Sequence, residues 1–272
     1  MMQHLPDALR FSMNDTLTFV LLGGLIGFLS GLFGVGGSSI ATPLLRLLDV
    51  SRLEALASPL PVALPTAIVG GITYWRRGLV DGRIAFWTAL GGAPMALLGS
   101  YLTTLVPGRI LMLLTGVFVM AVGGRLLLGP LDSDSDGAGS RAPLRVGMLL
   151  AVGAAVGFLS GLLANGGGFL LVPAYMLLCR LDPQQAAATS LVAVVFLAVP
   201  STWAHWELGH VVPRLSMLLA LGALPTTYLG ARVGLAMRKD QARWVFGLFL
   251  LIFGWLFFVR TVYRAEVLGW MT

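Results

Sequence analysis

Eight apolar runs take up most of this chain and leave little else for it to fold around. They fall at about 17–48, 55–75, 84–106, 110–128, 144–179, 185–206, 213–236 and 244–262. About 20 such residues cross a bilayer as a helix, and helices satisfy their own backbone there. Charged residues make up 11% of the 272, against about 25% in a soluble domain. A water-facing surface cannot be built from that stock. The runs therefore predict an all-α polytopic membrane protein.

The basic excess (18 Lys and Arg against 12 Asp and Glu) lies between the runs, as arginines that flank membrane spans do. No basic stripe or aromatic platform points to nucleic acid. One cysteine, Cys179, excludes an internal disulfide framework and a four-cysteine metal site. Residues 1–16 are polar and mixed in charge, so no cleavable signal peptide is visible.

The first and fifth runs are too long for one span, and glycines break each in its middle. The two groups of four runs also repeat each other. GFLSGLFGVGGSSIATPLL from Gly27 matches GFLSGLLANGGGFLLVPAY from Gly157, and Pro43 pairs with Pro173. YWRRGLVDGR (74–83) then matches HWELGHVVPR (205–214), and GGAPMALLG (91–99) matches GALPTTYLG (222–230). An ordered series of this kind marks a duplicated unit. The layout is a polar segment 1–16, a first repeat 17–128, an exposed acidic linker 129–143, a second repeat 144–262 and a tail 263–272.

Loop charges bear on how the repeats are related. Arg76, Arg77 and Arg83 follow the second run, but only Arg214 follows its counterpart. The next loop reverses this, with Arg109 alone against Arg232, Arg238, Lys239 and Arg243. Four simple crossings per repeat would give both copies one bias. If each glycine break instead returns the chain to its starting side, seven Lys and Arg fall on one side and eleven on the other. That count favours inverted repeats with both termini outside.

A glycine-rich break followed by proline, an x-G-x-V-D-x-R segment and a G-x-x-P-x-x-x-x-G helix, all duplicated, resembles the sulfite exporter TauE/SafE family. The resemblance runs from about Leu17 to Arg260. It implies a bacterial inner-membrane carrier of small sulfur-containing anions such as sulfite and sulfonates. The chain also departs from the family pattern. A G-T-S element survives as Thr189–Ser190, where the first half has Ala57–Ser58–Pro59. The two half-sites are thus chemically unequal.

The breaks are the first candidates for a binding site. Non-helical backbone at membrane depth must face protein or a water-filled cavity, and paired interrupted segments point to a transporter's site. Helices restarting near Ser38 and Gly168 offer free N–H groups and the positive end of a dipole to an anion. Candidate substrate contacts are Gly34, Gly36, Gly37, Ser38, Ser39, Asn165, Gly166, Gly167 and Gly168. Ser58, Thr189 and Ser190 are candidate pocket hydroxyls, with interhelical hydrogen bonding as the competing reading. Pro43 and Pro173 shape the half-helices. Gly23, Gly27 and Gly31, repeated as Gly153, Gly157 and Gly161, read as a close-packing stripe.

Every carboxylate falls in a loop, a terminus or a span end, unlike the intramembrane acids of cation carriers. An anion or neutral substrate fits better, with no metal and no cofactor. His205, near a span, suits proton coupling or an interfacial place beside Trp203 and Trp206. Arg83 and Arg214 suit the mouths of two vestibules or plain flanking anchors. No protease, lipase or nucleotide-binding motif is present, so no enzyme is expected. The reading is a gradient-driven carrier that alternates access. An anion channel of the same fold and a non-transporting membrane scaffold are the alternatives.

Overall fold

The computed structural model describes residues 13–48, 50–103, 108–128, 145–163 and 167–269. These form α1 (Met13–Phe33), α2 (Ser38–Leu47), α3 (Arg52–Ala57), α4 (Leu60–Trp75), α5 (Gly82–Leu102) and α6 (Gly108–Leu128). The second half adds α7 (Val146–Leu163), α8 (Gly168–Leu178), α9 (Pro183–Glu207), α10 (Pro213–Ala236) and α11 (Lys239–Gly269). No strand occurs among the described residues. Among the described residues, five stretches are both long and apolar enough to cross a bilayer: Asp15–Phe33, Leu53–Trp75, Val146–Leu163, Pro183–Glu207 and Pro213–Ala236. The chain is a multi-pass helical membrane protein.

Both overlong runs divide at their glycines, into α1 with α2 and α7 with α8. The second run divides as well. Pro59 removes a backbone donor and restricts Ser58 before it, so the short α3 precedes α4. In the second half Ser190 stands at the matching place, and α9 runs unbroken.

Contacts fix the helix directions. Tyr74, near the end of α4, donates to the Gly31 carbonyl near the end of α1 at 3.1 Å. Ser216, near the start of α10, donates to the carbonyl of Ser58 just before α4 at 2.6 Å. Helices α1, α4 and α10 therefore run the same way. Gly34, just past α1, accepts a bond from Ser190 near the start of α9, so α9 runs against them. Asp81 at the start of α5 bonds Thr189 at 3.0 Å, and Tyr101 at its end reaches Glu207 at 3.0 Å. Helices α5 and α9 thus run together. The two faces of the bundle are called here the Tyr74 end and the His205 end.

Glycine stripes explain the tightest pairs. Between helices in lipid there is little hydrophobic driving force, so close backbone approach and van der Waals contact take its place. A Cβ on Gly23, Gly27 or Gly31 would collide with the Leu219, Ala223 or Thr227 carbonyl of α10. Gly222 and Gly230 of α10 return the contact against Val20 and Phe28. The second half repeats this, with Gly153, Gly157 and Gly161 of α7 against the Thr88, Gly92 and Ala96 carbonyls of α5. Each of these pairs joins one half to the other, as do α4 with α9 and α6 with α11. Exchanging the halves maps this set of pairs onto itself. Buried hydroxyls on these helices bond back to their own turns, as Thr66 does to Val62 and Thr227 to Ala223.

Candidate functional site

The two glycine breaks meet. A Cβ on Gly168 would lie 2.5 Å from the Val35 carbonyl oxygen and 2.8 Å from that of Gly34. Gly36 faces Val194 and Gly167 faces Leu197. Both partners lie close to the midpoint of α9, so α2 and α8 start beside one another well inside the bundle. Gly34, Gly36, Gly37 and Gly167 have φ of 71°, 76°, 61° and 86°, which a side chain would strain. Gly37 and Gly167 cap the two helices, and neither start carries a side-chain cap. Ser38 is buried, and its hydroxyl donates only to the Gly36 carbonyl, at 3.3 Å. Ser39 is the second residue of α2. Asn165 and Gly166 lie outside the described residues.

Each break also has a buried hydroxyl beside it with no hydrogen-bond partner. The Ser30 Oγ lies 3.8 Å from a Cβ built on Gly37, and the Ser160 Oγ 3.4 Å from one on Gly167. Both serines are fully buried. Burying a hydroxyl unpaired costs about 1–3 kcal/mol. Two such groups in matching places leave donor capacity unused where the helix starts converge.

The other candidate hydroxyls are engaged. The Ser58 hydroxyl accepts from the Val212 N–H, and that of Thr189 accepts from the Asp81 N–H, both at 3.0 Å. These are equivalent bonds: Ser58 holds the start of α10 and Thr189 that of α5, each in the opposite half. Ser190 donates to the Gly34 carbonyl at 2.8 Å and so ties α9 to the first break. Pro173 is buried within α8, and Pro43 is the sixth residue of α2.

His205 is buried, whereas Trp203 and Trp206 point outward. Its Nδ1 lies 3.2 Å from the Nδ1 of His210 in the following loop. His205 occupies the place that Tyr74 holds in the first half. Burial pulls the His210 imidazole below its ordinary pKa.

A cavity of about 760 Å³ opens at the Tyr74 end between the last turns of α4 and α10. Arg76, Arg77 and Arg232 line it with Thr73, Tyr228, Gln184 and several aliphatic side chains, and among the described residues no carboxylate does. Arg83 and Arg214 are exposed and do not line this cavity. The Gln184 amide donates to the Gly234 and Met237 carbonyls, at 2.8 Å each. Gln184 also lines a pocket of about 20 Å³ that reaches Ala187, which packs against Gly34.

The profile of the family described as sulfite exporter TauE/SafE matches residues 19–257, nearly all of the helical chain. The chain belongs to that family. It is 28% identical over 247 residues to "Probable membrane transporter protein YunE" of Bacillus subtilis, covering 82% of this chain and 89% of the relative. A "Probable membrane transporter protein" of Xylella fastidiosa is 32% identical over 234 residues, covering 84% and 89%. An archaeal one, MJ0441 of Methanocaldococcus jannaschii, is 20% identical over 86% of this chain and 94% of its own. No solved structure matches. Membership of a family of membrane transporters agrees with the absence of enzyme motifs noted above.

Within this TauE/SafE chain, sequence reasoning passed over five polar residues that the fold brings forward. Ser30 and Ser160 lie inside the repeated GFLSG, each flanked by two glycines of that motif. Their identity at one spacing was the available signal. Arg76, Arg77 and Arg232 read as loop charges, because nothing local shows that α4 and α10 finish side by side.

Proposed function

We propose that this protein is a secondary carrier of small sulfur-containing anions: sulfite, a sulfonate or another organosulfur oxyanion. It sits in a bacterial inner membrane and alternates access between two inverted repeats. The observation that carries the reading is the pairing of two uncapped helix starts with the two unpartnered serines, Ser30 and Ser160. Helix starts present N–H groups and positive dipole ends, which favour an oxyanion. The serine hydroxyls supply further donors. Opposed directions of matching helices, such as α1 against α7, support inversion.

In this reading Gly34, Gly36, Gly37, Ser38, Ser39, Asn165, Gly166, Gly167 and Gly168 form the binding backbone. Ser58, Thr189 and Ser190 act through the backbone that they hold. His205, paired with His210 toward the loop, is the candidate for proton coupling.

The test is the melting temperature of the purified protein against sulfite, thiosulfate, sulfoacetate, taurine, sulfate, lactate and chloride. A ligand that binds only the folded state adds roughly 2.7 kcal/mol at a hundred times its dissociation constant. The expected result is a rise with one sulfur anion, lost when Ser30 and Ser160 are both changed to Ala. No rise with any anion, together with no sulfur-anion flux in proteoliposomes, would refute the proposal.

A further inference from the structure

Duplication sets up a comparison between the two ends of the bundle. At the spacing that pairs Trp75 with Trp206, Arg76 pairs with Glu207 and Arg232 with Tyr101. At the His205 end, the Tyr101 hydroxyl donates to the Glu207 carboxylate at 3.0 Å. At the Tyr74 end, three guanidinium groups face the 760 Å³ cavity without a carboxylate among its described lining residues. The two ends of the bundle therefore differ in charge at matching positions. A guanidinium presents a planar fork of donors that matches the oxygens of a sulfonate, sulfite or phosphate group. Gln184 lines both this cavity and the small pocket that reaches Ala187, which packs against Gly34.

We infer that the cavity is an oxyanion capture site, held by Arg76, Arg77 and Arg232, from which the solute passes toward the breaks. The inference rests on the anion-carrier reading above. A phospholipid phosphate offers the same chemistry, and the test separates the two sources.

Thr73 lines the cavity and its hydroxyl bonds only the Val69 carbonyl of its own helix, so Thr73→Cys makes a mild reporter. In phosphatidylcholine nanodiscs, its reaction rates with sulfonatoethyl and trimethylammonioethyl methanethiosulfonate are compared, each normalised to free cysteine. The parent protein, with buried Cys179, gives the blank. A focused positive field raises the local anion concentration by roughly tenfold or more. The sulfonate reagent is therefore favoured by about that factor, and ethanesulfonate protects. The bias disappears when all three arginines are changed to Gln, and it survives Arg145→Gln at the same end. All four side chains are exposed, so the fold tolerates these changes.

Equal rates, or a bias that outlasts the triple change, overturn the inference. So does a bias that phosphatidylglycerol abolishes and ethanesulfonate does not affect, because the cavity then holds lipid. Sulfite uptake in proteoliposomes completes the test, and half-saturation about tenfold higher in the triple variant supports capture. Unchanged half-saturation overturns capture and leaves the carrier standing. A labelling bias in a protein that moves no sulfur anion overturns passage to the breaks along with the carrier reading, and leaves only an anion site.

Discussion

Replacing Gly27 with alanine is the sharpest test of how the halves are joined. The new methyl carbon would lie 2.5 Å from the Ala223 Cα and 2.6 Å from the Thr226 Oγ1, and nearer still to the Ala223 carbonyl oxygen. Carbon atoms prefer about 3.5–4.0 Å, so α1 and α10 must part by about 1 Å. Rotamer changes cannot relieve this, because the nearest atoms are backbone. Gly23 and Gly31 make the same close approach one turn away on each side, so parting the helices loosens their contacts as well. Overpacking of this kind costs about 1–3 kcal/mol or more, offset by up to about 1 kcal/mol of helix propensity. Gly24→Ala is the control. Its methyl meets only the Thr226 Cγ2 at 3.6 Å and the Gly222 oxygen at 3.9 Å, so propensity alone acts and stability holds or rises. Unfolding in mixed micelles, followed by tryptophan fluorescence, should show Gly27→Ala at least about 1 kcal/mol less stable than Gly24→Ala. Equal stabilities would refute the α1–α10 contact and the cross-repeat packing inferred from it.

Three further outcomes follow from the described contacts. Ser58→Ala and Thr189→Val each strand one N–H, at the start of α10 and of α5 respectively, so each loses about 1 kcal/mol; with the sites at opposite ends, the double variant loses the sum in the same assay. His210 has a lowered pKa, so the folded state disfavours its charged form. Its contribution is complete above the ordinary histidine value of about 6.5 and is lost as pH falls through the lowered folded value; melting from pH 8 to 4 should show a shallower acid loss in His210→Gln. The Lys239–Asp182 bridge measures 2.7 Å, but its lysine is 68% exposed; Lys239→Ala should cost under about 1 kcal/mol and less still at high salt.

Apolar period and composition were enough to read helices and membrane, because those depend on local pattern. The glycine breaks were legible for the same reason, since no straight span accommodates 17–48 or 144–179. The division before α4 needed more. Pro59 signals it, but only comparison with unbroken α9 shows it as a difference between halves. Roles that depend on distant partners were not legible. For Ser58 and Thr189 a pocket role and interhelical hydrogen bonding both stood open in the sequence, and the N–H groups that they hold, of Val212 and Asp81, come from the other half of the chain. His205 beside two tryptophans suited an interface, yet its place on α9 turns it inward and theirs outward.

The reciprocal glycine contacts also bear on biosynthesis. Helix α1 enters the membrane well before α10, the surface that its stripe requires, is made. Until then Gly23, Gly27 and Gly31 offer a bare backbone groove to any other helix within reach. The nascent first half is therefore adhesive before it is complete, and its safe passage depends on how quickly translation delivers the second. Slowing the ribosome between the halves should raise degradation or mispairing of the chain without altering a single residue.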